Sequence, residues 1–245
     1  MNNAEISWKR ILAEGTAIVV SILLAFTIDA WWDDRQARNE EQRVLAGLRE
    51  ELRSNLDRIE VELAYRHAVV ESILTLFDAS LGKIELQENE TSRLIGDVTW
   101  WTNVDYSRGV VDALVQGGRL AVIENKDLRD AIASLPNRYD IIRDSERNDQ
   151  LTTQGIIVPY LNKMLLLPQI ANTMAGGRPG TGDVPTPSVY PVEESRDSRE
   201  LLDDPEFLGI LVQEHWNHLE TLASYEAFIV SIEAILDLIE LELDG

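Results

Sequence analysis

The chain is predicted to be all-α: an N-terminal transmembrane helix continuing into a long helix, with an antiparallel helical bundle built against it. Three observations predict this. A short apolar stretch near the N-terminus is bracketed by tryptophans, apolar residues recur at helical spacing through three long segments, and no convincing strand pattern occurs in the 245 residues. Composition agrees, since 44% hydrophobic and 27% charged residues describe an ordinary folded chain. Forty-three acids against 22 bases give a net charge of −21, which repels phosphate backbones and excludes nucleic acid as a natural partner. The absence of cysteine excludes disulfides, thiolate metal sites and cysteine nucleophiles.

Residues 1–10 form a short N-terminal tail. The transmembrane helix is expected at 11–32, ILAEGTAIVVSILLAFTIDAWW. Its uncharged core, Gly15 to Ile28, has only 14 residues, fewer than the ~18 usual for a spanning helix. The flanks extend it. Trp8 precedes the run and Trp31–Trp32 close it, at the two levels where indoles favour the membrane interface. At ~1.5 Å per residue, Trp8 to Trp31 covers about 35 Å, enough for a bilayer and its headgroup edges. The competing readings are a buried core helix and a cleaved signal peptide. Ile28-Asp29-Ala30 is a poor small-x-small cleavage site, so an uncleaved signal anchor is expected.

Lys9 and Arg10 lie before the span and Arg35, Arg38 and Arg43 after it, so bases alone do not set the orientation. Beyond Trp32 there are 20 bases and 40 acids, a poor match to the anionic cytoplasmic face. The expected placement is therefore a bacterial inner membrane, with a cytoplasmic N-terminus and a periplasmic C-terminal domain.

Glu14 and Asp29 are the unusual residues of the span, since a carboxylate in the bilayer normally faces protein or water. Glu14, Ser21, Ala25, Ile28 and Trp32 fall on one heptad-like stripe. Small residues let helices approach, and serine or glutamate can hydrogen-bond across, so Glu14, Ser21 and Ala25 form a candidate oligomer seam. The alternative is that both acids sit close enough to the interfaces to stay hydrated.

Residues 33–245 form the acidic helical-bundle domain. From Asp33 to about Leu81 no helix breaker occurs, and Leu45, Leu48, Leu52, Leu56, Ile59, Leu63, His67, Val70 and Leu74 follow an 11-residue repeat. Gly82 is expected to end this helix in the left-handed conformation. Two short helices are expected at Glu88–Trp101 and Ser107–Gln116, the second closed by Gly117-Gly118. Asn125 then caps a second long helix with Leu128, Ile132, Leu135, Tyr139 and Ile142 on one face. Its middle, Arg143 to Gln154, is almost wholly polar, and Pro136 and Pro159 are expected to kink or break it. A flexible glycine- and proline-rich loop is expected at 174–197. Asp204-Pro205 opens the last helix. There Leu208, Leu211, His215, His218, Leu222, Tyr225, Ile229, Ile232, Leu236, Ile239 and Leu243 keep a 4-3, coiled-coil-like spacing.

Two blocks are similar to a bacterial single-span membrane protein family catalogued only as a domain of unknown function. The first, AEGTAIVVSILLAFTIDAWWDDRQARNEEQRVLAGLREELRSNLDRI, carries Glu14, Trp31 and Trp32, Leu45 with Leu48, and Glu51 with Asn55. The second, VDALVQGGRLAVIENKDLRDAI, carries Ala113, Leu114, Gly118, Leu120, Ile123, Asn125, Leu128 and Arg129. Glu14-Gly15 stands where the family has glycine before the acid. The resemblance implies a single-span membrane protein and supplies no catalytic residues.

Chemistry is thinly represented. His215 and His218 are three apart and share a helix face, so with Glu214 or Glu220 beside them they are candidate metal ligands. His67 falls on its own helix's apolar stripe and would meet them in the core. The signal is weak, and the competing account is a structural polar layer in which the histidines are satisfied by Glu146 or Asp149. Gly177-Arg-Pro-Gly-Thr-Gly182 superficially resembles a phosphate loop but has Asp183 in place of the lysine and no preceding strand. Trp100-Trp101 is read either as a ligand-stacking surface or as core. No nucleophile elbow, dinucleotide fingerprint or cofactor motif is present.

The expected function is therefore non-enzymatic: a single-pass membrane protein whose bundle mediates homo-oligomerisation or docking onto a larger membrane complex. The rival class is an extracytoplasmic sensory or ligand-binding module, which would need a separate partner to transmit, since only about ten residues precede the span. An ion-conducting oligomer ringed by Glu14 is the third.

Overall fold

A computed structural model describes residues 8–174, 190–192 and 195–244. Among them every regular element is helical. The expected loop at 174–197 lies mostly, and its Gly177–Gly182 turn wholly, outside the described residues.

Helix α1 runs unbroken from Trp8 to Ser80, about 110 Å at ~1.5 Å per residue. The expected span and first bundle helix are one rod. It ends as anticipated: Gly82 takes φ +69°, and the Lys83 and Gly82 amides return to the carbonyls of Asp78 and Ala79, which satisfies the last turn.

The chain then descends beside α1 as a broken leg. Helix α2 (Glu88–Val98) stops three residues short of its expected end, an extended run follows, and α3 (Gly109–Val115) and a single 3₁₀ turn at Leu120–Val122 complete it. Gly118 reverses the chain at φ +68°. Asn125 caps α4 (Lys126–Thr152) by accepting from the Leu128 amide at 3.1 Å. A π-helical turn, Thr153–Ile157, joins α4 to α5 (Val158–Lys163), and α6 (Leu167–Thr173) follows. A 3₁₀ segment at Ser198–Asp203 leads into α7 (Pro205–Asp244).

Contacts fix the directions. Arg53 meets Glu240 and Arg66 meets His218, so α7 is antiparallel to α1. Asn55 meets Tyr139 and Arg66 meets Asp149, so α4 rises parallel to α1. The result is an up-down-up-down bundle whose second leg is not a continuous helix.

Three expectations need correction. First, the buried face of α1 is Leu45, Leu48, Leu52, Asn55, Ile59, Glu62, Arg66, Val69, Ile73 and Leu76. That is an unbroken 3-4 spacing, the seven-residue repeat of a left-handed supercoil and not an 11-residue one. The two patterns share Leu45, Leu48, Leu52 and Ile59, then part, leaving His67 and Leu74 exposed. Second, Pro136 lies inside α4 without ending it. Its missing N–H costs one hydrogen bond, while buried Leu135 and Tyr139 on either side hold the helix in place. Pro159 does coincide with an interruption: α4 gives way to the π-helical turn Thr153–Ile157 just before it, and Pro159 sits in the first turn of α5, where proline is tolerated. Third, the buried side of α7 is Phe207, Leu211, Glu214, His218, Thr221, Tyr225, Phe228, Ile232, Ile235 and Ile239. Alternate positions are displaced by one residue from the apolar reading, which leaves His215 only half-buried.

The interior divides in two. The cluster nearer the span packs Leu48 and Leu52 against Val111, Leu135, Tyr139, Phe228 and Ile235. The far cluster packs Tyr65 and Ile73 against Ile95, Leu161, Ile170 and Leu211. Between them lies a polar layer.

Candidate functional site

The layer arises because consecutive core positions of three helices are polar at one level: Glu62 and Arg66 on α1, Glu146 and Asp149 on α4, Glu214 and His218 on α7. Arg66 is its centre and has no solvent exposure. Its Nη1 donates to Asp149 Oδ2 at 2.9 Å and to His218 Nδ1 at 3.1 Å. Its Nη2 donates to the Thr102 carbonyl at 3.3 Å, its Nε lies 3.7 Å from Glu62 Oε1, and the guanidinium stacks over Tyr225 at 5.5 Å. Burial works against the charge, yet Tyr225, Asp149 and Glu62 together raise the Arg66 pKa above its ordinary value. Beside this group, Tyr225 donates to Glu146 Oε1 at 2.6 Å, and the Val104 amide donates to the same oxygen at 3.1 Å. Burial raises the Glu146 carboxyl despite those donors.

Asp149, Glu214 and His218 offer ligand atoms within 4.8 Å of one another. His218 Nε2 lies 3.7 Å from Asp149 Oδ1 and 3.8 Å from Glu214 Oε2. These three atoms have no hydrogen-bond partner at conventional geometry, so the spacing is that of a metal site. The chemistry of the ring points elsewhere. A guanidinium only donates, so Nδ1 of His218 accepts from Arg66 and the neutral ring carries its proton on Nε2, the atom a metal would need. The layer already holds its cation, and that cation is Arg66. Burial holds the His218 pKa down at about 4, against the pull of Asp149, so the ring is neutral at physiological pH. Burial, followed by the proximity of Asp149, pushes the Glu214 carboxyl up to about 9. Glu214 is thereby protonated at neutral pH.

Of the expected metal ligands, the structure brings His218 and Glu214 into this layer and leaves Glu220 exposed. His215 is half-buried on its flank and His67 lies on the surface, because each sits one step off its helix's buried seam. Asp149 meets His218 as the polar-layer account expects, whereas Arg66 is a polar core position that apolar periodicity passes over. Trp100 is half-buried against the far cluster, and the Tyr65 hydroxyl donates to its carbonyl, a core role. In the span, Glu14, Ser21 and Ala25 are exposed, and the Ser21 hydroxyl is bonded to the Ala17 carbonyl within its own helix. Trp31 and Trp32 are exposed as a tilted pair 6.4 Å apart, with Arg35 above Trp31. The Trp8 backbone begins α1, and its side chain lies outside the description.

The two blocks quoted for the resemblance pack on one another. Glu51 accepts from the amides of Val110 and Val111 at 2.8 and 3.1 Å, capping α3 from a neighbouring helix. Asn55 donates to the Ser107 carbonyl and accepts from its amide, both at 2.8 Å. Arg129 donates to the carbonyls of Ile123 and Glu124. Glu51 and Asn55 pin the descending leg to α1 and Arg129 closes the turn before α4, all structural roles.

No family model, curated protein or solved structure matches the chain. Function therefore rests on the geometry alone.

Proposed function

We propose that this is a non-enzymatic, single-pass membrane protein whose helical bundle assembles with itself or docks onto a larger membrane complex. One observation carries the reading. From Thr16 to Asn39 every residue is exposed, Ile18 at 61% and Phe26 at 67% among them, and the helix is long and apolar enough to cross a membrane. Such a surface is unstable in water and suited to lipid. The same rod then enters the bundle without a hinge, so the domain is held at a fixed attitude to the bilayer. The buried layer supports a structural role: Arg66, Asp149, Glu214 and His218 are wholly shielded from solvent, so a substrate does not reach them. The acidic domain favours a periplasmic placement across a bacterial inner membrane, with the N-terminus cytoplasmic.

A sensory module acting through a separate partner is the second reading. The π-helical turn at Thr153–Ile157 favours it, because such turns recur at functional sites and this one abuts Asp149.

The test is alkaline carbonate washing of membranes containing the full-length protein, followed by cross-linking in the intact membrane. Retention in the pellet together with species above the monomer is the expected result. Release by carbonate, or a monomer alone, contradicts the proposal.

A further inference from the structure

Helix α7 has two apolar sides. One is the buried seam that includes His218 and Tyr225. At 100° per residue, Val212, Trp216, Leu219, Ala223, Ala227 and Val230 fall on the opposite side. All six are exposed, Trp216 at 68% and Val230 at 65%. The outer face of a solvated bundle helix ordinarily carries charged and polar groups, and this stripe has no partner among the described residues. At its centre the small Ala223 and Ala227 leave room for close approach. Beside them, Ile141 of α4 and Phe228 line a shallow groove of about 290 Å³.

Charge identifies what fits there. From Pro205 to Asp244 the helix contains no lysine or arginine. Glu220 borders the stripe on one side and Glu226, Glu233 and Asp237 on the other, all exposed and none in an ion pair among the described residues. Among the residues that line the groove, Arg138 of α4 is the one base. A second copy's α7 would set acid against acid, which disfavours self-pairing through this face. A lipid surface fits no better, because α7 stands alongside the membrane-leaving rod and its acids repel anionic headgroups.

We propose that the outer face of α7 is the docking surface for a helix of a different protein, one with an apolar stripe bordered by lysine or arginine. The inference rests on the assembly reading above and specifies which of its two forms applies.

The experiment uses the full-length protein in lipid nanodiscs and a fluorescent synthetic helix of roughly three heptads, with a leucine–alanine stripe bordered by lysine. Two comparison peptides carry the same stripe bordered by glutamate, and the lysine composition with the stripe scrambled. Binding of the first peptide alone is expected. The combined change Trp216→Asp and Val230→Asp should weaken it by about tenfold or more while leaving circular dichroism and melting unchanged, since both residues are exposed. Equal binding of the scrambled peptide, or indifference to the two substitutions, overturns the proposal. So does disulfide linkage between two copies carrying Ala223→Cys, a clean readout in a chain without other cysteines. Failure here with a full-length protein still cross-linked above the monomer removes only the assignment of this face.

Discussion

Replacing Arg66 by methionine tests the buried layer most severely. The substitution keeps most of the volume and removes the cation that faces Asp149 at 2.9 Å and Glu62 at 3.7 Å. Both members of the closer pair have no side-chain exposure, so no solvent discount applies. Breaking a buried pair by removing one partner costs about 3–5 kcal/mol, because the remaining charge is stranded. A chain of this size loses about 2–4 °C per kcal/mol, so the melting temperature should fall by roughly 6–20 °C. The assay is thermal unfolding of the full-length protein in nanodiscs, followed by far-UV circular dichroism, beside a urea titration to check the slope. Adding Asp149→Leu should recover about half of the loss or more, since a well-packed apolar pair often replaces a buried ion pair at little cost. An Arg66→Met variant within about 1 kcal/mol of the parent, or losses that simply add in the double variant, would refute the claim that the layer is desolvated and coupled.

Glu214→Gln should raise the melting temperature more at pH 8 than at pH 5. The folded carboxyl titrates at about 9 against an ordinary 4.5, so its contribution is intact below about 4.5 and lost as pH rises through 9; equal effects at both pH values contradict this. His218 works in the other sense. Its folded pKa of about 4, against 6.5 unfolded, makes the protein lose stability as pH falls from about 6.5 through 4, and His218→Asn should flatten that limb of a melting-versus-pH curve. Glu51→Ala removes the acceptor for two α3 amides and should cost about 1 kcal/mol in urea unfolding; no loss would mean that water replaces the cap. Glu14→Ala should lower the proportion of cross-linked species in membranes, and an unchanged pattern removes Glu14 from the seam.

Backbone punctuation was readable from the chain. Gly82 and Gly118 take the left-handed conformations their contexts required, and Asn125 caps α4, because each signal is local chemistry. The register of α1 was not readable from apolar residues. Asn55, Glu62 and Arg66 occupy core positions, and a hydropathy pattern steps around them to the flanking Leu56 and Leu63, lengthening the apparent repeat from seven to eleven. The candidate site was legible in part: the polar stretch Arg143–Gln154 offered Glu146 and Asp149 as partners for core histidines, and both are buried, but Arg66 and Glu62, which complete the layer, are polar positions that the apolar pattern of α1 steps around. The break between α5 and α6 carries no glycine either. Leu165 adopts φ +60° there, a conformation that leucine rarely takes and that sequence rules assign to glycine.

The measurement that tests the account most directly is native mass spectrometry of the full-length protein released from its own membranes, with bound proteins retained. The account predicts a mass above the 27.7 kDa of one chain, and the charge on α7 predicts that the excess belongs to a different protein. A single chain of 27.7 kDa with nothing attached, under conditions that preserve known membrane complexes, would contradict it.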